Sequence, residues 1–383
     1  MAAVIENHDT DDTGEAEIDE AALTEFERRM SALVPGRASY AGKLAKLKQT
    51  YFCLERDDEF RLALSDLGAE AIARGRSGGG VERLDGSFLT LTGNPGAGKS
   101  RMLRTALKIC GILEPFPFKG HELRLAVRVT APSPFNRELF SAAILRAVGM
   151  ETDRRLTANT GMRIVTNLMR RTRTSLVIID EAQHMLRSES PKVTSTARDT
   201  LKNFSADPDW PVSFLLVGTR RARRIIATDN QVRHRNIWMD VPPIRIDTTD
   251  GTLFPHDMDL VQDAIDEAIS RADLSDGLDD RADVAVRLVF ASGLEYGRLF
   301  EFIRLAAQNA LSSGSSSLTR RDFEEALRKR TGCSADRNSF RTAVTDFRII
   351  RHWLSDEDEE FFGEDDVLVP DREPTRRVGG RGR

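Results

Sequence analysis

Gly93-Asn94-Pro95-Gly96-Ala97-Gly98-Lys99-Ser100 follows the pattern G-x-x-x-x-G-K-[ST], between a short apolar run, Ser87 to Thr92, and a helical one, Lys99 to Cys110. This spacing suits phosphate binding. Glycines allow backbone N–H groups to turn inward around phosphate oxygens, the Lys99 ammonium reaches the terminal phosphates, and the Ser100 hydroxyl is a ligand for Mg²⁺. A second run, Leu176-Val177-Ile178-Ile179-Asp180-Glu181, ends a wholly apolar strand in two acids. The first, Asp180, is the metal acid. The second, Glu181, is the base that polarises the water attacking the γ-phosphate. A plain helix N-cap with a first-turn acid is the alternative for this pair. Gln183 and His184 either read the nucleotide or start a helix. Phe214 to Thr219 ends a third apolar run in a hydroxyl. Strand C-termini of a parallel sheet gather on one edge, so Thr219 either orients the attacking water, caps the helix that begins near Arg220, or does both. ATP and Mg²⁺ are the expected cofactors.

These residues need a frame. Strand-like and helical patterns alternate from Ser87 to Val217: strands at Ser87 to Thr92, Arg124 to Thr130, Leu176 to Ile179 and Val212 to Val217, and helices at Lys99 to Cys110, Pro134 to Val148, Arg163 to Arg173 and Ser195 to Phe204. Such alternation implies an α/β fold, a parallel sheet covered by helices on both faces. From His256 onward the strand patterns stop. Four helical runs, Asp257 to Ala272, Ala282 to Ala291, Tyr296 to Leu311 and Arg320 to Lys329, predict a small α-helical domain. The expected division is an acidic disordered tail over 1–22, a helical region over 23–80, the nucleotide-binding α/β domain over 81–250, the helical domain over 251–332, and a C-terminal helix with a charged tail over 333–383. Ala22 to Leu33 and Ala41 to Gly68 read as helical, Arg74 to Gly80 as a flexible joint, and Asn338 to Leu354 as an amphipathic helix whose apolar face either packs on the core, the preferred reading, or docks a partner.

Charge and cysteine usage narrow the class. The net charge is −4, yet residues 1–22 carry −8 and residues 356–383 carry −5, which leaves +9 on the chain between them. A basic body between acidic tails suits a polyanion partner; solvating tails are the other reading. Cys53, Cys110 and Cys333 are too few and too far apart for a disulfide framework or a zinc site. No apolar run approaches a membrane span and the first twenty residues are acidic where a signal peptide would be basic, so a cytoplasmic protein without membrane contact is expected.

The phosphate loop, Asp180-Glu181-Ala182-Gln183-His184, Leu201-Lys202-Asn203-Phe204 before Pro211-Val212, Val217-Gly218-Thr219-Arg220, and the stretch from Val129-Thr130-Ala131-Pro132 to Leu145 together resemble the TniB/TnsC family of AAA+ transposition ATPases. The resemblance spans roughly residues 40 to 330. It implies an AAA+ P-loop NTPase with a helical lid, a Mg-dependent ATPase that oligomerises as a ring or filament on target double-stranded DNA and recruits or activates a transposase alongside target-selection proteins. Hydrolysis would then dismantle the assembly. Rival readings are a nucleotide-gated DNA-binding switch with little turnover, another DNA-remodelling or loader AAA+ ATPase, and a small-molecule phosphotransferase.

The resemblance also implies roles for particular residues. Asp229-Asn230-Gln231-Val232-Arg233-His234-Arg235-Asn236 lies where the family carries an arginine that reaches a neighbour's nucleotide, which points to Arg235 with Arg233 as substitute. Gly293 to Arg298 opens a helix of the lid, where AAA+ proteins place a phosphate-contacting arginine, here Arg298. The family's His-Pro is replaced by Arg56-Asp57-Asp58-Glu59-Phe60. In ring-forming relatives the region after the second strand faces the pore, which singles out Arg137, Arg154 and Arg155 for DNA, with Arg170, Arg171, Arg173 and the cluster Arg220 to Arg224 as further basic groups. Backbone contact without base readout is expected from them.

Overall fold

The computed structural model describes residues 4–6, 25–26, 28–29, 40–76, 84–150, 157–186, 191–246 and 253–342. Helix α1 (Tyr40–Gln49) leads into a three-residue strand, Thr50–Phe52, and then α2 (Glu55–Arg76), whose first turn carries Glu55, Asp57 and Asp58 where acids complement the helix dipole. Strand β1 (Phe88–Gly93) feeds the phosphate loop and α3 (Lys99–Cys110). There follow β2 (Ala126–Thr130), α4 (Arg137–Ala147), α5 (Ala158–Thr172), β3 (Leu176–Asp180), α6 (Pro191–Ser205), β4 (Ser213–Gly218), the short helices α7 (Arg223–Ala227) and α8 (Asn230–His234), and β5 (Asn236–Val241).

The five strands form one parallel sheet in the order β2-β3-β4-β1-β5. Burial explains their sequences. The three inner strands are buried at every position, which demands near-continuous apolar runs. Their alternate side chains feed two cores. Phe88, Val177, Ile179, Phe214 and Leu216 meet Phe140 of α4, Val165 of α5 and Leu201 of α6 on one face. Leu89, Leu91, Ile178, Leu215 and Val217 meet Phe60 of α2 and Met102 and Leu103 of α3 on the other. The edge strand β5, Asn-Ile-Trp-Met-Asp-Val, escapes a sequence reading because one side of it is solvated and its pattern is mixed.

A helical layer follows: α9 (Pro255–Ala272), α10 (Arg281–Ala291), α11 (Tyr296–Ser313) and α12 (Arg320–Thr331). The start of α12 is set by a capping box between Thr319 and Asp322. Its core also takes in Leu47 and Phe52, and Phe52 stacks on Phe300 with centroids 4.8 Å apart. The N-terminal helices therefore bind both layers.

The structure corrects several expectations. The run Ala41 to Gly68 is two helices split by Thr50–Phe52, and that strand pairs antiparallel with Val4–Glu6, inside the stretch expected to be disordered. Helix α2 continues to Arg76, into the expected joint; Gly78 to Gly80 lie outside the described residues. Strands do not stop at His256, since Ser275–Asp276 and Ser317–Leu318 pair in parallel. An exposed hairpin, Phe116–Phe118 with His121–Leu123, precedes β2. Residues 338–342 form a turn rather than the start of a helix, with Phe340 buried and stacked against Phe323; the rest of the expected helix lies outside the described residues.

Candidate nucleotide site

All five strands point their C-terminal ends the same way, so Gly93, Asp180 and Gly218 share one edge. The phosphate loop leaves β1 there. Gly96 and Gly98 take φ of +85° and +95°, values that an L side chain rarely adopts. The Lys99 ammonium donates to the carbonyl oxygens of Gly93 and Asn94, both at 2.8 Å. Folding thus curls the lysine across its own loop, over the place where terminal phosphates are expected.

The helical layer closes directly on this loop. The N–H of Arg298 donates to Gly96 O at 3.1 Å, and the buried Arg298 side chain lies so close that a Cβ on Gly96 would sit 2.6 Å from its Cγ. A Cβ on Gly297 would stand 2.7 Å from Gly98 N. Glycine at 297 is therefore what lets α11 rest its first turn on the loop. Beside it, Asn94 donates its amide to Glu295 Oε1 at 2.7 Å. Burial pushes the Glu295 carboxyl up, opposed by the Asn94 hydrogen bond and by Arg298, Lys99 and Arg56.

Asp180 is buried at the end of β3. Its Oδ1 accepts from the backbone N–H of Glu181 at 3.0 Å and lies 3.4 Å from Ser100 Oγ. A carboxylate and a hydroxyl facing each other are the hard oxygen donors that Mg²⁺ takes from a protein when phosphates supply the rest. Its Oδ2 accepts from Arg128 Nη2 at 2.7 Å. Glu181 adopts a left-handed φ of +54°, and its carboxylate accepts from the Gln183 amide. The other end of that amide, Gln183 Oε1, accepts from Thr219 N at 3.0 Å. Gln183 thus bridges Glu181, the residue just after β3, and the backbone of Thr219, the residue just after β4. It passes where a Cβ on Gly218 would collide with it, so glycine is required there. Thr219 stands at an N-cap position, but its hydroxyl makes no cap hydrogen bond and is buried with no partner among the described residues. A buried hydroxyl without a partner costs stability unless something else engages it.

Sequence reasoning missed Arg56. It is nine-tenths buried, donates to Ala97 O at 2.9 Å, and stacks over Tyr296 at 4.6 Å from the ring centroid, joining the N-terminal helices, the loop and the lid. Burial lowers its pKa. Nothing local in the sequence links it to a loop forty residues away. Arg128 and Gln183 are the other additions. For Arg128 a signal existed, because a cation inside an alternating strand, two residues before the position level with Asp180, must share the face of Asp180.

The arginines expected to act between molecules lie elsewhere. Arg235 follows α8 at the opposite, N-terminal end of the strands and is turned onto its own chain. Its guanidinium pairs with Asp85 at 2.7 Å, donates to Gln231 O at 3.3 Å, and covers the Phe88 ring at 5.9 Å. Arg233, two residues earlier, is exposed. Arg137 is half-buried and donates to Thr200 Oγ1 at 3.2 Å. Arg154 and Arg155 lie outside the described residues. Arg163, Arg170, Arg171 and Arg173 are exposed along α5 and just past its end.

A parallel sheet of order β2-β3-β4-β1-β5, a phosphate loop after β1, acids after β3 and a helical lid seated on the loop constitute the AAA+ P-loop fold, and nucleotide binding goes with that fold. Residues 83–226 match the family model described as AAA domain. Among solved structures the chain is similar to Cdc6p from Pyrobaculum aerophilum, at 15% identity over 74% of this chain and 70% of that one, with a TM-score of 0.50. It is also similar to the Aeropyrum pernix ORC1 protein, solved in complex with DNA (16% identity, 74% and 67% covered, TM-score 0.47). A third is the RuvB Holliday junction branch migration motor of Thermotoga maritima (12% identity, 74% and 71% covered, TM-score 0.39). At such identities the likeness is one of fold. No curated protein matches the chain. Among the described residues, no helix is long and apolar enough to cross a membrane.

Proposed function

We propose that this chain is a Mg-dependent ATPase that assembles with copies of itself on double-stranded DNA in the ATP state and passes that DNA to a transposase, with hydrolysis dismantling the assembly. The observation that carries the hydrolytic part is the half-buried Gln183 bridge, which ties the Glu181 carboxylate to the backbone N–H of Thr219, whose own buried hydroxyl has no partner among the described residues. Two groups organised in this way suit a water between them. Glu181 would accept its proton and Thr219 would orient it, while Lys99, released from the carbonyls of Gly93 and Asn94, and Arg298 from the lid face the phosphates. Mg²⁺, when bound, supplies neutralisation of charge on the phosphate oxygens, with Ser100 and Asp180 as its protein ligands.

The intermolecular part rests on the C-terminal end of α8, where Arg233 lies in its last turn and Arg235 just beyond it. An arginine that serves a neighbour must be free to leave its own chain, and the exposed Arg233 meets that condition better than Arg235. The transposition reading is supported by the resemblance of the loop, Asp180 to His184 and Val217 to Arg220 runs to the TniB/TnsC family. For DNA, the +9 charge between the tails and the exposed arginines of α5 favour contact with phosphates. The test is ATPase turnover and duplex binding measured together. Binding of unrelated duplexes in ATP should be alike and should fall log-linearly with salt, and DNA should change turnover. Wild-type protein that hydrolyses ATP but binds no duplex, or binds with a flat salt response, would remove DNA from this reading.

A further inference from the structure

Arg128 lies in the middle of β2. Register places Thr130 opposite Asp180, and residues two apart on a strand share a face, so the Arg128 side chain runs beneath the β3 carboxylate. Its Nη2 meets Asp180 Oδ2 at 2.7 Å, with the Asp180 side chain 8% and the Arg128 side chain 30% exposed. A pair so shielded on its acidic side is screened far less by salt than a surface ion pair. The remaining oxygen, Oδ1, is the one that faces Ser100. The acid that fits a metal is therefore already matched by a cation of its own chain.

We propose that Arg128 is a resident counter-ion that competes with divalent metal at Asp180, so that the site accepts the metal only together with nucleotide phosphates. This rests on reading Ser100 and Asp180 as the metal's protein ligands. Without phosphates, a divalent cation finds one carboxylate and one hydroxyl, and no group of three or more metal-ligating side chains occurs among the described residues. Mg²⁺ gives up water reluctantly and needs more than that. A guanidinium on the same carboxylate opposes it further by like-charge repulsion. Phosphates bring several negative charges at once and outweigh a single arginine. The partial exposure of Arg128 leaves it room to stay on Oδ2 or swing towards solvent. The consequence is order: free metal does not occupy the empty site, and the metal enters with the nucleotide.

The test uses the full chain without nucleotide and Mn²⁺ as probe, read by the loss of the free-ion paramagnetic resonance signal. Wild-type protein should bind Mn²⁺ weakly. Arg128→Met, which keeps length and removes charge, should bind roughly three- to tenfold more tightly, as expected for deleting one nearby like charge in a partly shielded site. Arg128→Lys, which keeps the cation, should stay close to wild type and serves as the folded comparison if melting shows Arg128→Met to be damaged. Adding Asp180→Asn to Arg128→Met should erase the gain. Equal Mn²⁺ affinity in Arg128→Met and wild type, or a gain that survives Asp180→Asn, would overturn the proposal. Binding of a fluorescent ATP analogue is measured in the same samples. Its failure in wild-type protein would remove the nucleotide reading by itself, while the Mn²⁺ comparison would still decide the role of Arg128.

Discussion

The two ends of the parallel strands are built on opposite terms. At the C-terminal end, the functional side chains are held by partners from several elements of one chain: Asp180 by Arg128 and the Glu181 N–H, Glu181 by Gln183, and Asn94 by Glu295 of the lid segment. At the N-terminal end, beside β5, Arg235 is tied down while Arg233 projects into solvent. Chemistry done within one chain profits from pre-organisation, because fixed dipoles and charges need no rearrangement as the reaction proceeds. A group meant for another chain has to be left unengaged until that chain arrives. The difference teaches that a sequence motif naming two arginines does not say which serves which purpose.

Exchanging the roles of the two ends should produce unlike failures. In Arg233→Ala, turnover should fall by about 10³, the lower end of what a trans arginine contributes, while ATP binding and melting temperature remain. Mixing it with Glu181→Gln should restore part of the activity, since mixed assemblies pair an intact Glu181 with an intact Arg233 from another chain. No recovery in demonstrably mixed oligomers would erase the distinction between the two ends. Glu181→Gln alone should lose about 10²- to 10³-fold in turnover, in the range of a lost general base, and still bind ATP; wild-type rates there would remove Glu181 as the base.

Smaller effects sharpen the same contrast. Gly297→Ala places a methyl group against the backbone of Gly96 and Gly98, so the lid must back away from the loop. Nucleotide affinity should weaken about tenfold, and stability by roughly 1–3 kcal/mol if the lid cannot relax; titration with a fluorescent nucleotide and thermal melts read both. Arg235→Ala should leave assembly-dependent turnover nearly intact and cost about 1 kcal/mol of stability, for a partly exposed ion pair and a ring contact. If Arg235→Ala abolishes turnover at unchanged stability while Arg233→Ala does nothing, the assignment of the two arginines is reversed.

Much of the nucleotide end was legible in the residues themselves. The loop from Gly93 to Ser100 and the acids after Leu176 to Ile179 are local patterns, written within a few positions, and buried parallel strands must be apolar wherever they fall. Helix α3 matches its predicted span of Lys99 to Cys110, because its start is bound to the loop and Gly111 ends it in a left-handed turn. The region around Arg154 and Arg155 carries no comparable pattern, and charge alone cannot distinguish a solvated arginine from one that meets a phosphate.

By itself, the sequence determined the phosphate loop, the acids of β3, the alternation of strand and helix and the helical run that follows, since each depends on spacing between near neighbours. Tertiary structure decided the rest. It alone brought Arg56 against Ala97, Arg128 beneath Asp180, Gln183 between Glu181 and Thr219, and Gly297 onto Gly98. It also turned Arg235 inward while leaving Arg233 out. The physical reason is that these relations join residues that are close only once β2, β3, β4 and β1 lie side by side and α11 has closed over them. A guanidinium, an amide or a glycine acquires its role from the neighbour it meets, and that neighbour is chosen by the packing of the sheet and the lid.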